Sequence, residues 1–446
     1  MPTAIFTIGR SGLTATRRSL ELTAQNIANA ENVDYSRRTL TQGELVMTGS
    51  IGTNAADSLG GVRPGSIERA ESALVQRQAR DSGSARAAAE AEFFALREAE
   101  SALETSGVFT GLVEYEAALT RLQNNPLEPA LRLSALEAAR KMAGNFRVAN
   151  GTLANARSLV QAEASAETLT VNELANELAR INADLVGSRE GTAGRAALLD
   201  ARDKALRGLA EEFAIQPTFN PDGTADVTLA GTPPVALVTG ANAQPVAVSY
   251  AADGSASFTV GGAGFAPGGG AMAGRAAALA EMASVQTALD ALAVSAITIS
   301  NTAQAAGVAA DGTPGQPFFA GTGAGSIAMV LAAPEGLATA AAGEPAGSRD
   351  TANLAALIAA LGAPTGPTTG IDSLLLGLSS RVSALETRTE GLAVVAASAE
   401  AELLRETGVD LDTEAANLVR LQQAFEANSR VIQVAAELFD TVLGLR

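Results

Sequence analysis

Asn220, Asp222 and Asp226 come nearest to metal chemistry in this chain, because oxygen ligands closely spaced in a turn can gather round a hard cation. A calcium loop also needs a later bidentate glutamate at a fixed offset, and none stands there, so a β-turn accounts for them better. The glycine-rich run 261–274 has neither the GK[ST] ending nor the G-x-G-x-x-G spacing of a phosphate-binding loop and reads as a linker. Glu211 and Glu212 could do acid/base work, but neighbours on a helix point apart and mark a solvated face. The chain has no histidine and no cysteine, which removes the commonest general base, the thiol nucleophile and the soft metal ligands. These residues predict no enzyme, no metal and no cofactor.

Composition narrows the partners. A formal charge of -17, from 31 basic and 48 acidic residues, argues against nucleic acid and against acidic membrane surfaces. No run approaches the roughly 18 apolar residues of a membrane span, so no membrane insertion is expected. The N-terminal stretch shows no basic region, apolar core and cleavage site of a secretory signal. A chain of 446 residues predicts two to four folded units.

Phe6, Leu13, Leu20 and Ile27 fall seven apart, with Gly9, Thr16 and Thr23 between them, and predict an amphipathic first helix. It should stop near Asn29 to Tyr35, where asparagine and aspartate favour a turn, and the Asn26 to Asn29 stretch reads as a helix stop because asparagines close turns on their own backbone. Residues 40–65 read as extended or loop, and 66–212 as long helices, with Ser66 as a cap and Asn124-Asn125-Pro126 as a break. The stretch 213–270, punctuated by Asp222-Gly223 and Asp253-Gly254, reads as a small β-rich insert. Helix returns at 272–302, loops fill 305–349, and 350–446 is helical apart from a loop near 362–370. In the last segment Leu411, Leu418, Leu421, Phe425, Asn428, Ile432, Ala435, Phe439 and Val442 step by threes and fours, with Glu414 as a polar interruption. So long a seam predicts a helical partner, and the first helix supplies one. Asn428 reads equally as an exposed flaw in the seam or as a polar pin on its register.

Residues 11–38, which contain Asn26, Ile27, Ala28, Asn29, Tyr35 and Arg37, resemble the N-terminal motif of the bacterial flagellar rod, hook and hook-associated axial proteins. Asp34 stands where that family usually has glycine. Residues 408–446, with Leu421-Gln422-Gln423-Ala424-Phe425 and Ala427-Asn428-Ser429-Arg430, are similar to the hook-associated members, as are Leu198 to Asp203 and Pro317-Phe318-Phe319.

The resemblance implies a mainly α fold with a small β-rich insert. Residues 1–40 and 405–446 would pair as a coiled-coil-like inner domain, 41–212 and 271–404 would form a helical second layer, and 213–270 a β-rich outer insert. It implies an extracellular structural subunit that adapts hook to filament and is exported without a cleaved signal by the flagellar type III route. The implied partners are further copies of itself, neighbouring axial proteins such as the hook protein and a second junction protein, and an export chaperone at the C-terminal segment. Phe6, Leu13, Leu20, Asn26, Ile27, Asn29, Tyr35 and Arg37 would then lie at the subunit interface with the seam residues of the last segment. A hook or distal-rod subunit would share the terminal helices. A secreted coiled-coil adhesin would explain the heptads but not the Asn26 to Asn29 turn.

Overall fold

The computed structural model describes residues 2–44 and 60–444, and the side chains of 5–44 and 60–441. The helices are α1 (Pro2–Ala28), α2 (Ala73–Ser106), α3 (Val108–Asn124), α4 (Pro129–Gly187), α5 (Ala193–Glu212), α6 (Ala271–Ala306), α7 (Ala352–Leu361), α8 (Pro367–Thr407) and α9 (Leu411–Gly444). The fold is mainly α with a small β part. Two compact units share these elements. One comprises Met1–Ser84, Thr170–Pro245 and Ala393–Arg446, and the other Ala85–Leu169 and Val246–Leu392.

Local chemistry sets the helix ends. Thr192 caps α5, its side chain accepting from the Arg195 N–H at 3.3 Å. Asp410 does the same for α9, accepting from the Thr413 N–H at 2.6 Å, with Asp412 and Glu414 favourably placed in the first turn. The helix break expected at Asn124 to Pro126 is present, α3 ending at Asn124. Ser66 corrects the sequence reading. It caps no helix but lies in β2 (Val62–Arg69), which pairs antiparallel with β1 (Arg38–Glu44), Arg38 opposite Arg69. An Ser followed by an acidic residue has the same local signature in either setting, and only the distant strand partner distinguishes them.

In the first unit α1 packs against α9, and strands Ile215–Phe219, Ala225–Leu229 and Val235–Thr239 form antiparallel pairs. In the second unit Val246–Tyr250, Ala256–Val260 and Ala263–Pro267 do likewise. Three tight turns share one device. Asp222, Asp253 and Asp311 each accept from the backbone N–H and the hydroxyl two residues on, across a glycine with φ of 86°, 89° and 82°. The hydroxyl bonds, with the backbone bonds behind them, hold these exposed carboxyls below the usual range.

The core of the second unit gathers Leu112, Tyr115 and Leu119 of α3, Met142 and Phe146 of α4, Met282 and Leu289 of α6, and Phe318 and Phe319. The Phe318 and Phe319 rings lie 4.8 Å apart, with Tyr115 at 5.9 and 6.0 Å. Burial pushes the Tyr115 phenol up, against the opposing effect of its 3.4 Å contact with Ser300. α6 overturns one compositional expectation, since with a mean hydropathy of 1.4 in its most apolar window it is long and apolar enough to cross a bilayer. Its Leu279, Met282, Val285 and Leu289 are buried in this core.

Arg132 is 2% exposed and lends its guanidinium to carbonyls. Nε donates to Pro126 O at 2.6 Å, Nη1 to Pro334 O at 3.2 Å and Leu337 O at 2.9 Å, and Nη2 to Thr339 Oγ1 at 3.1 Å. Burial, partly opposed by Glu335, lowers its pKa. Arg132→Met keeps the stem but strands these acceptors, and should cost about 2 kcal/mol in urea unfolding. Amide exchange across 334–341 should accelerate in the variant; unchanged exchange would show that the loop does not depend on Arg132.

Candidate functional site

Asn26, in the last turn of α1, is 1% exposed. A turn follows, with the Asn29 N–H donating to Gln25 O and the Tyr35 N–H to Asn32 O, and it folds the chain back beneath Asn26. The amide then meets partners on every side. Nδ2 donates to Arg38 O at 2.9 Å and to Glu414 Oε1 at 3.2 Å, while Oδ1 accepts from Tyr35 Oη at 2.7 Å and from the Arg38 N–H at 3.1 Å. Two donors and two acceptor sites are all an asparagine amide has. Helix α1, the turn and α9 therefore meet at one side chain.

Arg38 carries the cluster onward. Its guanidinium lies 4.7 Å from the Tyr35 ring centroid and donates to Asp200 Oδ2 at 2.6 Å. Arg69 Nε donates to the other Asp200 oxygen at 2.6 Å, and its Nη2 to Asp203 Oδ2 at 2.5 Å. Arg202 donates to Asp203 Oδ1 from Nε at 3.0 Å and Nη2 at 2.7 Å. Arg38, Arg202, Asp200 and Asp203 are buried and the Arg69 side chain is 5% exposed, so β1, β2 and α5 are joined by a desolvated ionic clasp. Burial alone would raise the Asp203 carboxyl, but Arg69 and Arg202 outweigh it and hold the carboxyl below the usual range. Burial likewise works against the Arg69 charge, and Asp203 and Asp200 overcome it. Tyr35 is pushed up by burial, with Arg38 opposing and Asp200 and Glu414 reinforcing. Asp34 makes ion pairs with Lys204 at 3.0 Å and Arg207 at 2.8 Å, so the departure from glycine ties the turn to α5.

The two helices approach closely along small residues. A Cβ added at Gly9 would lie 2.8 Å from Ile432 Cγ1, and one at Gly12 would lie 2.7 Å from Asn428 Oδ1. Asn428 Nδ2 is 3.4 Å from Thr16 Oγ1, so this residue faces α1 rather than standing as an exposed flaw. Of the seam, Leu418, Leu421, Phe425 and Ile432 are half-buried and Ala435 is buried, whereas Leu411 and Phe439 are 52% and 47% exposed. The Val442 side chain lies outside the described residues. Glu414, the apparent interruption, is buried on Asn26.

On α1 the buried phase differs from the one that large residues suggest. Gly9, Ala15, Thr16, Leu22, Thr23 and Asn26 are covered, Leu13, Leu20 and Ile27 are half-buried, and Phe6 is 44% exposed. Asn29 bonds its own helix, Nδ2 to Gln25 O at 2.8 Å. Tyr35 is buried. Arg37 contributes backbone, its N–H donating to Thr407 O and its carbonyl accepting from the Ala70 N–H. The basic side chain with a structural role is its neighbour Arg38. Its partner Asp200 lies in the stretch Leu198 to Asp203, where resemblance pointed and periodicity did not.

The acidic side chains of this cluster are engaged by arginines and by Asn26, and among the described residues no group of three or more could hold a metal ion. Asp222 and Asp226 are likewise bonded within their turn and to the Gly240 N–H. The arrangement is one of attachment, joining α1, β1, β2, α5 and α9.

Comparison with known proteins agrees in kind. The model of the flagellar hook-associated protein FlgK helical domain matches residues 97–319, and that of the flagellar basal body rod FlgEFG protein C-terminal region matches 402–445. Flagellar hook-associated protein 1 of Bacillus subtilis (strain 168) is 25% identical over 221 residues, 48% of this chain and 44% of the relative. The protein of the same name from Escherichia coli (strain K12) is 24% identical over 251 residues, 55% and 45% of the two chains. The match thus spans a little under half the length of either relative. A solved structure of the flagellar hook junction protein FlgK from Burkholderia pseudomallei aligns with a TM-score of 0.48 at 22% identity, covering 55% of this chain and 46% of that one.

Proposed function

The chain belongs to the family of the flagellar hook-associated protein FlgK, and from that premise we propose that it is a structural subunit of the bacterial flagellum that adapts the hook to the filament. The observation that carries the reading is the pairing of α1 with α9, which leaves an apolar stripe outside. Ile5, Phe6 and Ile8 on α1 and Val431, Val434, Leu438 and Phe439 on α9 are all more than a third exposed. Apolar residues gathered on one pair of helices mark a surface that another chain covers. Neighbouring subunits would supply the cover, and the helix pair would then form the inner part of the axis. Neighbours would include copies of the chain, the hook protein and a second junction protein.

Several finer points belong to the same proposal. Export follows the flagellar type III route with the N-terminus uncleaved, and a chaperone covers the C-terminal segment before assembly. The net charge of -17 sets like subunits against one another, and the apolar stripe must outweigh that repulsion.

A deletion strain tests the role. Hooks should still form, while filaments should be missing and flagellin should accumulate in the medium. Normal filaments would rule out an adaptor, and missing hooks would move the chain to the hook or distal rod.

A further inference from the structure

We propose that the hydrogen bond from Asn26 to Glu414, and not the apolar contact, selects the register in which α9 lies on α1. Small and polar residues recur at heptad spacing along α1, Gly9, Thr16 and Thr23 in one line and Gly12, Ser19 and Asn26 in another, and Gly9, Gly12, Thr16 and Asn26 of these meet α9. Such a face has few knobs. Ile432 seated at Gly9 and Asn428 seated at Gly12 could find comparable seats one turn along, so packing alone discriminates weakly between neighbouring registers.

The Asn26 amide lacks that freedom. Three of its four hydrogen bonds go to Tyr35 and to the backbone of Arg38, and fix its orientation before α9 is considered. The fourth capacity is one N–H, aimed across the helix pair, and Glu414 Oε1 takes it at 3.2 Å. Glu414 is 4% exposed and Asn26 1%, so a slip of one turn would leave a donor and a carboxyl group buried without each other. Arg38 also holds Asp200 through its side chain, so the pin rests on the clasp that joins β1, β2 and α5. The phase of the apolar stripe on the helix pair is thereby set from the body of the first unit. This inference concerns the chain alone and stands apart from the adaptor reading.

The absence of cysteine makes the register readable by paired thiols. Gly9→Cys with Ile432→Cys reports the observed register. Thr16→Cys with Ile432→Cys reports a slip of one turn, because Thr16 now faces Asn428. Purified full chain carrying either pair is oxidised, and the ratio of the two disulfide yields is measured in three backgrounds. Glu414→Gln keeps the acceptor and should keep the ratio of the wild type. Glu414→Leu fills the space without an acceptor and should lower the ratio of observed to slipped disulfide by about tenfold, the worth of one such bond. An unchanged ratio in Glu414→Leu would overturn the proposal and assign the register to the short connection 408–410 between α8 and α9. Both yields falling together would also overturn it, since Glu414 would then govern the strength of pairing and not its register.

Discussion

Asp200→Ala should remove about 3–5 kcal/mol of folding stability, because it leaves two buried guanidinium groups facing a space with no carboxylate. Arg38 and Arg69 each donate to Asp200 at 2.6 Å, and both side chains are less than a tenth exposed. Asp200→Asn keeps one acceptor and should lose less. Urea unfolding at neutral pH measures both, and a loss under 1 kcal/mol in the alanine variant would show that the clasp is hydrated. Acid should weaken the same region in the wild type. The folded pKa of Asp203 lies below its ordinary value of 3.8, so its contribution is complete above that pH and disappears as pH falls through the folded value. Stability should therefore decline below about pH 4, and Asp203→Asn should flatten the decline.

Ile432→Asp should loosen α9 from α1 and, under the proposed axial role, abolish incorporation into the axis. The side chain is half-buried and packs on Gly9, where an added Cβ would lie 2.8 Å from its Cγ1, so a carboxylate here is pressed against α1. Partly burying that charge without a partner opposes the pairing of the two helices. The core round Tyr115, Phe318 and Phe319 does not involve this position, so helical content should remain largely intact by circular dichroism. Binding to purified hook fragments provides the second readout. Variant protein that binds as the wild type does would show that position 432 is open in the working state.

These two sites differ in how far they can be read from sequence. The α9 seam is legible because Leu418, Leu421, Phe425 and Ile432 keep helical spacing, and even Asn428 falls on the contact side. α1 misleads in phase, since Phe6 and Leu20 are conspicuous while the contact falls on Gly9 and Gly12. Close approach of two helices selects the smallest side chains, and hydrophobic periodicity gives these little weight. The clasp is less legible still. Arg38 and Asp200 lie 162 positions apart, and nothing local in either neighbourhood announces the other. β2 was hidden for a related reason, since its eight residues 62–69 include proline, glycine and two arginines, and only pairing with β1 makes them a strand. The β-rich stretch after Phe213 was plain because its aspartate–glycine turns encode themselves.

The bond between Asn26 and Glu414 also imposes an order in time. Its partners are separated by 388 positions. At the roughly 5–20 residues per second of protein synthesis, α1 waits on the order of half a minute for α9 to be made. Throughout that wait Gly9 and Gly12 have no cover from the last helix, whatever else has folded. A chain that stops early never covers them, so exposure of this one face distinguishes an unfinished molecule from a complete one.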